Sequence, residues 1–240
     1  AFREAQIERP VPQANEVLVR IVASGVNPID YKIRTGHAPY AMPELPAILG
    51  TDMAGVIEAV GTNVSHLSVG DEVFGMVGGV RGLPGSLAEY LAVDADLVAL
   101  KPKNLGFREA AAVPLVFLTA WEGLVDRAHV QAGQKVLVHG GAGGVGHMAV
   151  QIAAALGAEV FATVSPGKRA IVESYGATAI DYKNVPVEQY VSQFTDGKGF
   201  DVIYDTVGGK SLDDSFAAIR LYGHVTSCAA FGTHNLATGS

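Results

Sequence analysis

The residues with the most chemical content lie in VLVHGGAGGVG (136–146), an apolar run that ends in a glycine cluster and leads into the small-residue stretch MAVQIAAALGA. A glycine turn between a strand and a helix can hold phosphate, because the unpaired N–H groups of the first helical turn and the positive end of the helix dipole face it. Gly141 is assigned to the sharp turn out of the strand, Gly143 to close approach of backbone to a pyrophosphate, and Gly146 to tight packing of helix on strand. The candidate cradle is the backbone of Gly141, Ala142, Gly143, Gly144, Val145 and Gly146. A dinucleotide fold selective for NAD carries an acid about 20 positions further on. Here that place reads TVSPGKR (163–169), where Ser165, Lys168 and Arg169 suit a 2′-phosphate and point to NADPH. The alternative is an ordinary solvated Lys–Arg pair at a helix start. His139 and His147, which flank the turn, are expected to be structural.

The elements that must position this turn alternate. After the glycine helix come AEVFATV (158–164), a helical stretch to Tyr175, TAID (178–181), a helix near 186–195, FDVIYDTV (200–207), a helix from Lys210 to Arg220, and GHVTSCA (223–229). Strands alternating with helices predict a parallel, doubly wound sheet, with five strands visible where the full dinucleotide fold has six. Up to about Pro102 the rhythm differs. Short strand-like runs at 16–26, 52–61, 70–77, 86–93 and 96–102, punctuated by Gly, Pro, Asn and Asp, predict a small antiparallel barrel or sandwich. The reading is therefore an α/β chain of two domains, 1–103 and 104–240, with a cleft between them as the place to seek function.

Composition narrows the partners. A net charge of −7 gives no electrostatic support for nucleic acid or an anionic membrane. The longest apolar run, AAAVPLVFLTAW (110–121), contains Pro114 and falls short of the ~20 residues of a membrane helix, so it reads as a buried segment of a soluble protein. The single Cys228 rules out an intrachain disulfide, fits a reducing compartment and is expected to be buried and inert. The opening AFREAQIERP shows no charged-then-apolar signal, which makes cytoplasmic the default.

The order of GVNPIDYKIRTG (25–36), LPAILGTDMAGVIEAVG (45–61), GDEVFG (70–75), AAAVPLVFLTAWEGL (110–124), GGAGGVG (140–146), LGA (156–158) and YDTVGG (204–209) resembles the medium-chain dehydrogenase/reductases. Within them it is similar to the zinc-independent branch of quinone oxidoreductases, zeta-crystallin and enone or enoyl reductases. The resemblance implies a GroES-like catalytic domain joined to a Rossmann domain. It also implies NADPH-dependent transfer of hydride to a quinone or an α,β-unsaturated carbonyl, and a homodimer. Against the family pattern both ends look truncated, lacking a first catalytic-domain strand and everything after Ser240. A non-catalytic, crystallin-like NADPH-binding protein or an inactive fragment is the alternative.

The resemblance also distributes roles. Zinc-dependent members carry a cysteine where this chain has Asn27 and a His–Glu pair where it has Thr51–Asp52, so no metal is expected. Asn27 is assigned beside the nicotinamide, Asp30 to holding its loop, and Thr119 and Thr206 to the cofactor side. Lys32 and Tyr40 are the candidates to polarise a substrate carbonyl or donate a proton.

Overall fold

The structure is a computed structural model in which residues 2–229 are described. The chain divides into two compact units, Ala1–Leu115 and Val116–Ser240.

The first unit is built on an antiparallel sheet. Its strands are β1 (Glu16–Ser24), β2 (Asp52–Val60), β3 (Glu72–Met76), β4 (Tyr90–Asp94) and β5 (Ala99–Leu100), in the spatial order β4-β1-β2-β3-β5. Val17, Val19, Met53, Ile57, Val73 and Leu91 form the core on one face. The short helix α2 (Phe107–Ala111) lays Ala110 and Ala111 against Ala54 on the other face, beside Ala23 and Phe74. That second layer explains why Asp52–Gly55 is buried without alternation, since a strand covered on both faces has no solvent side. Helix α2 thus lies within the first compact unit, because it finds its apolar partner on this sheet. Helix α1 (Pro28–Arg34) follows β1 and is reached through Gly25. A Cβ at Gly25 would lie 2.3 Å from the Ala111 carbonyl oxygen and 2.9 Å from Asp52 Cβ, so only glycine lets this corner close.

Helix α3 (Pro114–Trp121) begins with the last two residues of the first unit, continues as the start of the second, and runs directly into a π-helical turn, Glu122–Arg127. Then β6 (Lys135–His139), α4 (Gly144–Ala155), β7 (Glu159–Val164), α5 (Arg169–Ser174), β8 (Ala177–Asp181), α6 (Val187–Thr195), β9 (Phe200–Asp205), α7 (Lys210–Ala218) and β10 (Ile219–Ser227) alternate. All strand pairs are parallel, in the order β10-β9-β6-β7-β8. This is the doubly wound order 3-2-1-4-5, with the direction of winding reversing between β6 and β9. Alternate residues serve the two faces. Val136, Val138, Val160, Ala162 and Val202 pack with α4, while Leu137, Phe161 and Ile203 pack with Tyr190 of α6 and Ala218 of α7.

Three expectations change. The apolar run 110–121 is not one buried segment: it breaks at Pro114, and α3 leaves Leu118 47% and Trp121 40% exposed. The last helix stops at Ala218 rather than Arg220, because Ile219 already pairs with Phe200 and joins the core beneath α6. Cys228 is exposed rather than buried, since β10 ends at Ser227. Among the described residues no helix is long and apolar enough to cross a membrane.

Phe161 anchors the lower face, with ring centroids 4.9 Å from Phe194 and 5.3 Å from Phe200. Phe161→Ala should destabilise the second unit by about 3–5 kcal/mol, read as a lowered urea midpoint with little change in slope.

Candidate active site

In the first unit the chemistry gathers at the start of α1 and β2. Asn27 precedes Pro28, whose fixed φ suits the first helical position, and its extended φ of −121° makes it the N-cap. Asp30 Oδ2 accepts the Asn27 backbone N–H at 2.7 Å, so Asp30 holds the loop. The Asn27 side chain is buried, and its Nδ2 donates to Thr51 Oγ1 and to Asp52 Oδ2, both at 2.9 Å. Both amide hydrogens are therefore spent inside the protein, on Thr51 and Asp52.

Asp52 is fully buried. Its carboxylate also accepts the backbone N–H of Leu115, at 3.2 Å to each oxygen, in the first turn of α3. Burial pushes the Asp52 carboxyl up to about 6; the hydrogen bonds from Asn27 and Leu115 pull it back, and the Asp30 charge pushes it further. Asp30 is raised too, chiefly by burial, against the backbone N–H groups of Asn27 and Gly50.

A cavity of about 320 Å³ opens in the same unit. Its apolar walls include Ile29, Met76, Val80, Leu83 and Leu115, and its polar lining is Thr51, Tyr40 and Arg81. Thr51 is 3% exposed. Because its oxygen accepts from Asn27, its own O–H remains to donate. Tyr40 stands on a 3-10 turn, Pro39–Ala41, whose Ala41 is buried with Ala38, Ile33 and Leu49, leaving the phenol 51% exposed. Of the residues assigned to catalysis, Tyr40 lines the cavity, Asn27 supports Thr51 from beneath, and Lys32 is half-buried on α1 outside the lining. Thr51 was missed as a candidate, being read only as the place of an absent metal ligand.

In the second unit the glycine turn joins β6 to α4 as expected, but its left-handed residue is Gly140, with φ +73°, and not Gly141. Gly141 is needed for space instead: a Cβ there would lie 2.5 Å from Ala162 Cβ on β7. Gly146 packs against the turn itself, its notional Cβ 2.1 Å from the Gly140 carbonyl oxygen. Gly143 is the N-cap, and a Cβ on it would meet only the Gly140 oxygen at 3.2 Å, so the face above it is open. Gly144, Val145 and Gly146 form the first turn of α4, where N–H groups have no intrahelical acceptor. Ala142 is half-buried on the turn between them.

The floor of this turn is a set of buried polar groups. Thr163 Oγ1 accepts the Gly140 N–H at 3.1 Å and lies 3.2 Å from His139 Nδ1. Thr206 Oγ1 donates to the His139 carbonyl at 2.7 Å, and Asp205 accepts the backbone N–H groups of Val207 and Gly208 and the Ser227 hydroxyl. The Thr206 hydroxyl thus ties β9 to β6. Burial lowers the His139 pKa, against the Asp205 and Asp214 charges that raise it. Its Nε2 is buried without a hydrogen-bond partner among the described residues. His147 Nδ1 lies 3.0 Å from the Gly143 carbonyl oxygen. Thr119 contributes its carbonyl oxygen to the Tyr204 hydroxyl at 2.8 Å. Ser165 starts the 3-10 turn Pro166–Lys168 at the end of β7, and Arg169 pairs with Glu173 at 2.7 Å on the surface.

The Alcohol dehydrogenase GroES-like domain family matches residues 13–103, and the Zinc-binding dehydrogenase family matches residues 144–238. A 2-methylene-furan-3-one reductase of Solanum lycopersicum is 44% identical over 236 residues, covering 93% of this chain and 59% of its own length. An alcohol dehydrogenase superfamily protein from Novosphingobium aromaticivorans superposes with a TM-score of 0.95 at 55% identity, over 97% of this chain and 70% of that one. The Escherichia coli quinone oxidoreductase complexed with NADPH gives 0.83 at 31% identity, over 97% and 71%. The chain belongs to the quinone oxidoreductase and enone reductase branch of the medium-chain dehydrogenase/reductases. It spans 59% of the length of the Solanum reductase. Zinc, which one family description names, does not fit the residues present: Asn27 and Thr51 are a neutral amide and hydroxyl engaged with each other, Asp52 is a single carboxylate, and no cysteine or histidine joins them in this set of hydrogen bonds.

A quinone oxidoreductase-type chain with a buried acid at Asp52 should carry a pH signature. The folded protein keeps a proton on Asp52 up to about pH 6 that the unfolded chain releases near 3.8, so stability falls as pH rises through that window. His139 works in the opposite sense, losing stability as pH falls below its unfolded value. Asp52→Asn should flatten the first slope, by up to about 3 kcal/mol, leaving the part of the same sign that Asp30 contributes, in urea titrations from pH 4 to pH 7. An unchanged slope would remove Asp52 as its source.

Proposed function

We propose that this chain is the catalytic and cofactor-binding part of an NADPH-dependent reductase of quinones or α,β-unsaturated carbonyls. The observation that carries the reading is the glycine cradle. At Gly141 and Gly146 neighbouring atoms occupy the space that a side chain would take, and the first N–H groups of α4 stay clear for a pyrophosphate. Ser165 and Lys168 follow at the end of β7, and Glu173 engages Arg169 in an exposed pair that yields readily to a 2′-phosphate. The names of the Solanum and Escherichia coli relatives support the same acceptors and cofactor.

When bound, NADPH supplies the hydride. The protein's part is to bind and polarise the acceptor. Thr51, held by Asn27 as acceptor, turns its O–H to an acceptor oxygen in the cavity, where negative charge grows during reduction. Asn27 is a positioning residue in this scheme, fixed by Asp52, and the exposed Tyr40 phenol is the group from which a proton can be relayed from solvent. Lys32 has a weaker claim, lying outside the lining. A cytoplasmic homodimer completes the proposal, supported by the family resemblance and the single cysteine.

The test is NADPH oxidation with an ortho-quinone and an alkyl enone in parallel, NADH as control and no added metal. NADPH should exceed NADH about tenfold or more in kcat/KM. Thr51→Val, which keeps shape and deletes the donor, should lower kcat about tenfold or more with KM for NADPH unchanged. NADPH bound without turnover of either acceptor would leave a binding protein, and full activity in Thr51→Val would clear Thr51 of any role.

A separate variant tests the cradle. Gly146→Ala should lower the melting temperature, because its methyl meets backbone oxygen. Gly143→Ala should fold normally and lose NADPH affinity, read by fluorescence titration.

A further inference from the structure

The loop after β3 holds one residue that the cradle and the Thr51 site do not use. Arg81 adopts φ +49°, between Gly79 at +73° and Gly82 at +85°. Side chains rarely adopt that conformation, and where they do the surrounding contacts must enforce it. Here two contacts to the Pro39–Ala41 turn do so: the Arg81 backbone N–H donates to the Ala41 carbonyl at 3.3 Å, and Nε donates to the Tyr40 carbonyl at 2.8 Å. The guanidinium is thereby anchored at the same cavity that Tyr40 and Thr51 line, and among the described residues it is the one charged side chain of a mostly apolar lining. Among the described residues no carboxylate pairs with it, although most of the other ion pairs on the surface join arginine to an acid.

We propose that Arg81 determines acceptor specificity by reading a carboxylate, so that the preferred substrate is an enone or quinone with an apolar body and a single anionic group. The inference rests on the reductase function proposed above. The apolar walls take the body, and the strained loop presents the two remaining nitrogens of a guanidinium as a fork that matches a carboxylate. One cation matches one charge, whereas a phosphate dianion calls for more donors than this wall supplies.

The experiment uses the whole chain with NADPH and two acceptors of matched shape, 4-(4-carboxyphenyl)but-3-en-2-one and its methyl ester. The wild type should favour the acid in kcat/KM by about ten- to a hundredfold. Arg81→Gly, whose residue suits the backbone angle, should bring the ratio near one, and Arg81→Lys should keep part of it. A ratio near one in the wild type, a proportional loss on both acceptors, or a loss confined to KM for NADPH would each overturn the assignment. A second arm needs no turnover: the saturated ketone of the acid should raise the melting temperature of the wild type and not of Arg81→Gly. Should neither acceptor be reduced, the reductase reading fails, and this arm alone decides Arg81, a shift supporting it and no shift overturning it.

Discussion

A carboxylate removed from water must be surrounded by donors, and each unit of this chain is organised around one. In the first, Asp52 gathers the Asn27 amide and the Leu115 backbone N–H, joining the start of β2 to the loop before α1 and to the first turn of α3. In the second, Asp205 gathers the turn after β9 and the Ser227 hydroxyl at the end of β10. A buried ionised group left short of partners is heavily penalised, so these contacts fix backbone that apolar packing alone would leave adjustable. The Thr51 hydroxyl inherits its orientation from the first set, and the floor of the glycine turn inherits its shape from the second.

Close approach of backbone is the complementary constraint. Gly25 brings the end of β1 within reach of α2, and Gly146 brings α4 against the turn that precedes it. In both places a hydrogen stands where any side chain would force strands and helices apart. Donors can converge on Asp52, and N–H groups on an open face above Gly143, only because the surrounding chain passes at such short range.

The parallel sheet was legible because its strands are apolar runs separated by helices, and all five are present in the expected order, the last starting earlier and ending earlier than its pattern suggested. The antiparallel sheet was equally plain from its punctuated runs. What escaped the sequence depended on partners distant along the chain. Cys228 reads as a strand residue, yet the strand ends one position before it. Gly140 and Gly141 are adjacent, and which takes the left-handed angle and which makes room is decided by Ala162 on the neighbouring strand. Thr51 and Asn27 are 24 positions apart, and only the fold shows that one orients the other. Arg81 carries no local signal at all: its backbone angle and its anchor on Tyr40 exist only in three dimensions.

The π turn at Glu122–Arg127 has a consequence of its own. A π turn holds more residues than an α turn, so the helix that starts at Pro114 changes phase as it passes through. Within the π segment Gly123 faces the ring of Tyr204, with a notional Cβ only 2.7 Å from it, while the Tyr204 hydroxyl reaches back to the Thr119 carbonyl. The two halves of this helix therefore answer to one neighbour, Tyr204, through its ring and through its hydroxyl. Loss of one residue here would restore a regular helix while carrying Gly123 off the ring, so the segment's length is fixed by an aromatic side chain eighty-five positions away from Thr119.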